Sequence, residues 1–186
     1  MKAIKIILKI LFVFAILAFV YYMSSLVLED EAVKALVAEY GYIGLFFLSL
    51  LSGFNLLVPI PAIIFLPIFL SAGLNFWISL TIIVVGMTIG DIVGFALGRL
   101  GKDLFLDKVR PQWFLKIEKF VLNHPKLIPL FLFIYVAFIP LPNEIVVLPL
   151  AFFGIRFRYL IIPILLGNLF FNTISGITYV SIFNLF

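Results

Sequence analysis

Residues 138–144 read Phe138-Ile139-Pro140-Leu141-Pro142-Asn143-Glu144, two prolines and a carboxylic acid in the middle of an apolar run. Proline lacks the amide hydrogen and pushes the residue before it out of the helical region, so this pair ends any continuous helix. The same punctuation stands earlier, at Val58-Pro59-Ile60-Pro61, followed by Pro67 and Gly73. Pro59, Pro61, Pro140 and Pro142 therefore break two apolar segments. Their surroundings decide what kind of break each one is.

Those surroundings are lipid. The chain is 65% hydrophobic and 12% charged, with 23 Phe in 186 residues, whereas soluble domains carry about a quarter charged residues. Several apolar runs are long enough to cross a hydrocarbon core of about 30 Å. There is no Cys and a single His124, so neither thiolate chemistry nor a Cys or His metal cluster is expected. No cofactor is implied. The net charge of +4 comes from basic residues beside apolar spans, which points to membrane orientation and excludes nucleic acid as the expected partner.

Basic residues cluster at Lys2, Lys5 and Lys9, between Arg99 and Lys126, and at Arg156 and Arg158, while the acids Glu29, Asp30, Glu31 and Glu39 lie between the first two clusters. The positive-inside rule places the clusters in the cytoplasm and the acidic piece outside. Residues 1–28 then form an N-terminal transmembrane helix with a cytoplasmic N-terminus, and 29–40 a short acidic extracytoplasmic helix. From residue 40 outside to 99 inside the chain must cross an odd number of times, yet it holds two apolar segments there. The proline pairs supply the solution: a re-entrant hairpin over 41–73 and a transmembrane helix over 74–97. A cytoplasmic amphipathic segment follows over 98–126, then a second re-entrant hairpin over 127–155 entering from the opposite side, and a last transmembrane helix over 159–184. The expected fold is an all-α membrane bundle in the cell membrane, with two oppositely oriented re-entrant hairpins.

Counting forward from Pro61 and Pro142, Gly73 matches Gly154, Phe76 matches Phe157, Gly86 matches Gly167, and Asp91 matches Asn172, at offsets of 12, 15, 25 and 30. The coincidences suggest duplication. With opposite hairpin orientations this is an inverted repeat, the arrangement in which transporters place their sites near the midplane.

Of nine acidic residues only Asp91 and Glu144 fall within apolar stretches. An ionisable group there costs several kcal/mol and is a functional candidate by default. Glu144 follows a proline break and would sit at the start of the returning helix, where free amides favour an anion. Asp91 lies in a string with glycines at 86, 90, 94 and 98, a small-residue face on which helices approach closely. Such packing would hold Asp91 near Glu144, a pair suited to binding protons or a polar group. Asn143, Asn168 and Asn172 are secondary polar candidates, along with interhelical hydrogen bonding as their structural role. Residues 103–123, broken at Pro111, read as an interfacial helix attracted to anionic headgroups.

The stretch Gly90-Asp91-Ile92-Val93-Gly94-Phe95-Ala96-Leu97-Gly98-Arg99-Leu100-Gly101 resembles the G-D-x-x-G-[YF]-x-x-G-R-x-G string of the DedA or VTT-domain (SNARE-associated Golgi protein-like) membrane proteins. These include eukaryotic lipid scramblases and bacterial undecaprenyl-phosphate translocases. With the two proline hairpins, the resemblance covers roughly residues 40–184, and Pro140-Leu141-Pro142-Asn143-Glu144 is similar to the shorter YqaA-like branch. The chain departs from the family where Ile63 stands at a first-hairpin acid, and where Ala137 and Asn143 stand at arginines around the second. The resemblance implies a flippase or scramblase moving lipids or lipid-phosphates between leaflets, in some members tied to a proton gradient. Phospholipid or polyprenyl-phosphate and protons would be its partners, with Asp91 and Glu144 gating and Arg99 attracting phosphate. A proton- or ion-coupled solute transporter and a non-transporting membrane-organising protein are the alternatives. A homo-oligomer is compatible with each of them. No nucleophile–base pair is present to suggest an enzyme.

Overall fold

A computed structural model describes residues 2–54, 61–105 and 112–183, and among these the chain is helical with no strand. Helix α1 (Lys2–Glu29) ends at Asp30, which leaves helical dihedrals and caps α2 (Glu31–Ser52). Its carboxylate accepts from the amides of Ala32 and Val33 at 2.9 and 3.2 Å, satisfying donors that a helix start leaves orphaned. No proline interrupts α2. The acidic residues 31–40 and the apolar residues after them therefore form one 22-residue helix, not a short acidic helix followed by a separate arm from 41.

Pro59 lies outside the described residues. Pro61 is extended and opens a 3₁₀ turn, Ala62–Phe65, which runs into the short α3 (Leu66–Ser71). Asn75 then caps α4 (Phe76–Phe105), its side-chain oxygen accepting from the amides of Trp77 and Ile78 at 2.9 and 3.1 Å. Helix α4 continues past the expected end at 97, because Gly98 and Gly101 cost a helix only about 1 kcal/mol each and no proline follows until Pro111, itself outside the described residues. Helices α5 (Gln112–Asn123) and α6 (Ile128–Phe138) meet at a bend of 118°. The second proline pair separates α6 from α7 (Glu144–Phe152), and a 3₁₀ turn, Phe157–Tyr159, leads into α8 (Ile161–Ile182).

Helices α2, α4 and α8 are each long and apolar enough to cross a membrane, and α5 with α6 would be a fourth span if the bent pair counts as one. Large apolar side chains, including Trp77, Leu97, Phe131 and Ile162, are exposed around the bundle. Water would not tolerate so much uncovered apolar surface, whereas lipid does. The chain is a multi-pass membrane protein.

Its two halves share local geometry 81 residues apart. Gly73 and Gly154 have positive φ, at 92° and 78°, the left-handed conformation that glycine adopts at helix ends. The amide of Leu74 donates to Phe69 O and that of Ile155 to Leu150 O, at 3.2 and 3.1 Å; after the prolines, Ile64 N donates to Pro61 O and Ile145 N to Pro142 O. The packing is matched in part: α2 lies on α4 and α6 on α8, while α7 crosses to α4 and α3 packs on α1 and reaches α8. One core joins Leu45, Ile63, Leu66, Leu80 and Ile83 to Val180, and another joins Leu132, Val147 and Leu150 to Phe95 and Ile164. The middles of α4 and α8 run between these two cores.

Candidate functional site

The middle of α4 carries Met87, Thr88 and Asp91, and the middle of α8 carries Asn168 and Asn172. At spacings of three and four residues each set lies on one helical face, and the two faces meet. All five are buried, as are Asn143 and Glu144 beside the second proline break.

Asp91 is the hub. Asn143 Nδ2 donates to Asp91 Oδ1 and Oδ2 at 3.1 and 3.2 Å, and Asn168 Nδ2 donates to Asp91 Oδ2 at 2.9 Å. The two amides are tied to each other by Asn143 Nδ2 donating to Asn168 Oδ1 at 3.2 Å, and Asn168 Nδ2 also donates to Thr88 Oγ1 at 3.2 Å. Hydrogen bonds to a charged acceptor are roughly twice as strong as neutral ones, and amides can supply them without bringing a buried cation. Removing either amide strands the carboxylate at a cost of about 1–3 kcal/mol.

The proline break explains how Asn143 reaches this hub. Asn143 occupies the cap position of α7 but makes no side-chain cap, because its amide is turned to Asp91 and Asn168. Its backbone carbonyl accepts from Val146 and Val147, and the preceding Pro142 carbonyl accepts from the Tyr135 hydroxyl at 3.1 Å. The break is thereby fixed to α6. Glu144 takes the first position of α7, where the helix dipole favours an anion, and its Cγ lies 3.6 Å from where a Cβ on Gly94 would stand, about one turn along α4 from Asp91.

Two of the four recurring glycines serve α2. A Cβ built on Gly90 would lie 2.6 Å from both Gly53 Cα and Leu50 O, and one on Gly86 would lie 2.7 Å from Ser49 Cβ. Gly98 serves α7, where its Cβ would meet Leu148 Cδ2 at 2.7 Å, and Gly94 faces Glu144 Cγ across an ordinary 3.6 Å. The small-residue stripe is thus divided between two partners and brings both to Asp91.

A cavity of ≈ 280 Å³ opens beside the hub. Pro61 closes it from one proline break and Pro140 and Pro142 from the other, with Met87 and Phe171 between them; Asn143 and Asn168 form its polar wall. Asp91 stands behind that wall. Ile139 and Leu141 at the rim are exposed.

Asp91, Glu144, Asn143 and Asn168 are therefore brought together, and Asn172 lies next to them, donating to Asn168 O at 2.7 Å and to Met87 Sδ at 3.4 Å. Arg99 is not brought in. It is exposed, two turns beyond Asp91 on α4, so no phosphate-attracting role at the hub falls to it. Thr88 is the member that the sequence reading passed over, although its spacing of three from Asp91 marks the same face. Among the described residues no three His, Cys, Asp or Glu side chains gather as a metal site. No family model matches the chain, and neither the curated proteins nor the solved structures give a match.

Proposed function

We propose that the chain is a membrane transporter in which the cleft between two proline-broken segments carries the polar end of a lipid between leaflets. The observation that carries the reading is the cavity walled by Asn143 and Asn168, placed between both breaks and backed by Asp91 in the middle of the longest helix. A buried polar wall of this kind is costly in an apolar bundle, and irregular backbone at such depth is tolerated where it lines a cavity. The exposed apolar rim at Ile139 and Leu141 favours a cargo whose tail stays in lipid. On this reading, α3 and α7 are the inner arms of re-entrant hairpins entering from opposite sides, and the matched geometry of the halves is that of an inverted repeat. The resemblance to DedA or VTT-domain proteins agrees with it.

The chemistry of the wall narrows the cargo. Carboxylates and amide oxygens accept hydrogen bonds, so headgroups bearing hydroxyl or ammonium donors suit the hub, with protons as the coupling species for Asp91 and Glu144. A second reading, a proton- or cation-coupled carrier of a small solute, draws on the same acidic hub and the modest size of the cavity.

Leaflet exchange of fluorescent phospholipid and polyprenyl-phosphate in proteoliposomes tests the proposal. With an impermeant reductant such as dithionite outside, the native protein is expected to expose to bleaching the inner-leaflet label that stays protected in empty liposomes, and Asp91→Asn and Glu144→Gln to slow that exchange by about tenfold or more, each removing an interaction of 1.4 kcal/mol or above. Native, folded protein exchanging every lipid no faster than empty liposomes would sink the lipid reading, and solute-driven proton flux would then decide for the second.

A further inference from the structure

We infer that a second cavity, at the bend between α5 and α6, binds the phosphodiester headgroup of an anionic phospholipid from the surrounding bilayer. This cavity of ≈ 450 Å³ lies away from the Asp91 hub and shares no lining residue with the cleft. Its size falls in the range of about 300–1,000 Å³ usual for small-ligand sites. Lys126, from the bend, and Arg156, from the turn after α7, both line it, and no acidic residue does. The backbone under each cation is fixed. Leu127 N donates to His124 O at 3.0 Å beside Lys126, while Gly154 at positive φ and the Ile155 N to Leu150 O bond set the turn that carries Arg156.

The remaining walls suit a lipid over a free anion. Ile128, Pro129 and Ile155 are apolar, and Tyr159 is held at the mouth by Arg158, whose guanidinium donates to the Tyr159 hydroxyl at 2.8 Å and lies 4.8 Å from the ring centroid. Tyrosine at the headgroup level is a common membrane anchor. From the cavity an exposed stripe of Leu127, Leu130, Phe131 and Ile134 runs along α6, at the spacing of one helical face, and offers the acyl chains a path. The amphipathic α5 is docked alongside through Val121 in the core and the Phe114–Phe153 ring contact. In the other half the position matching Arg156 is Asn75, whose amide is bonded to the Tyr42 hydroxyl, so the paired cations belong to this end of the fold alone. The inference does not depend on transport: a headgroup held here would be a fixed ligand even in a protein that moves nothing.

The test is native mass spectrometry of the full chain released from mixed phosphatidylglycerol and phosphatidylcholine vesicles, compared with the Lys126→Gln/Arg156→Gln double variant. Two paired cations are expected to enrich phosphatidylglycerol about tenfold on the native protein and to lose most of that in the variant. The charge-conserving Lys126→Arg/Arg156→Lys variant controls for folding and keeps the enrichment. Equal retention of the two lipids by native protein would overturn the inference. So would an equal loss from Lys116→Gln/Lys119→Gln on α5, which would mean general surface attraction, or displacement of the lipid by inorganic phosphate alone, which would mean a soluble anion.

Discussion

The two halves of the bundle share their turns but not their chemistry. Where one half has Asn143 and Glu144 after its proline pair, the other has Ala62 and Ile63; where α4 has Met87 and Asp91, α8 has Asn168 and Asn172. The contacts across the middle obey the same exchange. Asp91 accepts from Asn168 on one side, and Met87 faces Asn172 on the other, at 2.9 and 3.4 Å. One crossing is polar, with Asp91 satisfied by two amides. Its counterpart is mostly apolar, with Ile63 and Ala62 in the core and Asn172 Oδ1 buried with no hydrogen-bond partner among the described residues. A scaffold of paired breaks therefore does not require a polar site at each, and the polar set on one side is an addition to the fold.

The sharpest way to break this comparison is to exchange the matched pair Asn168 and Met87. Asn168→Leu removes a donor from Asp91 and from Thr88 and leaves a buried carboxylate short, so it is expected to cost about 1–3 kcal/mol. Met87→Leu conserves volume in an apolar core and should cost less than about 1.5 kcal/mol. Thermal unfolding in detergent reads both. If the two variants unfold alike, the polar crossing is no more than packing, and leaflet exchange should be unaffected by either.

Much of this was legible before any coordinates. Pro61 and the pair Pro140 and Pro142 stand where helices start anew, the isolated acids Asp91 and Glu144 are buried, and the offset from Pro61 and Pro142 picked out Gly73 and Gly154, both of which take positive φ. What the sequence could not convey is which faces meet. Asn143 read only as one secondary polar candidate among several, and it is the orientation of α7 against α4 that turns its amide to Asp91. The resemblance implied that Arg99 would attract phosphate, and the structure places it exposed, two turns of α4 beyond Asp91. The acids of 29–40 suggested a loop-side helix, since charge reports on solvent more clearly than on chain continuity; with no proline present, α2 simply runs on.

The shared devices should respond equally in the two halves. Gly86 on α4 leaves room for Ser49 Cβ, 2.7 Å from where its own Cβ would sit, and the matching Gly167 on α8 does the same for Val136 Cβ at 2.6 Å. Alanine at either position forces two helices apart and is expected to cost about 1–3 kcal/mol. Gly94→Ala, with nothing nearer than 3.6 Å, should change stability by no more than about 0.5 kcal/mol. A large cost at Gly94 would mean that Glu144 is packed harder against α4 than the geometry indicates.

The two positive-φ glycines separate backbone from chemistry most cleanly. Gly73 and Gly154 both have positive φ, and a Cβ on either would meet nothing within 4 Å, so Gly73→Ala and Gly154→Ala carry a conformational penalty and no steric one. That penalty is about 1 kcal/mol for a left-handed alanine, and it should be the same in both halves because the glycine amide and the amide after it make matching bonds in each turn. Unfolding midpoints shifted by equal amounts, with leaflet exchange unchanged, would establish that these turns belong to the scaffold and that the division between the halves lies in their side chains. A selective loss of exchange in Gly154→Ala alone would tie the turn after α7 to the movement of Glu144 and Asn143, and the asymmetry would then extend from the polar wall into the backbone that carries it.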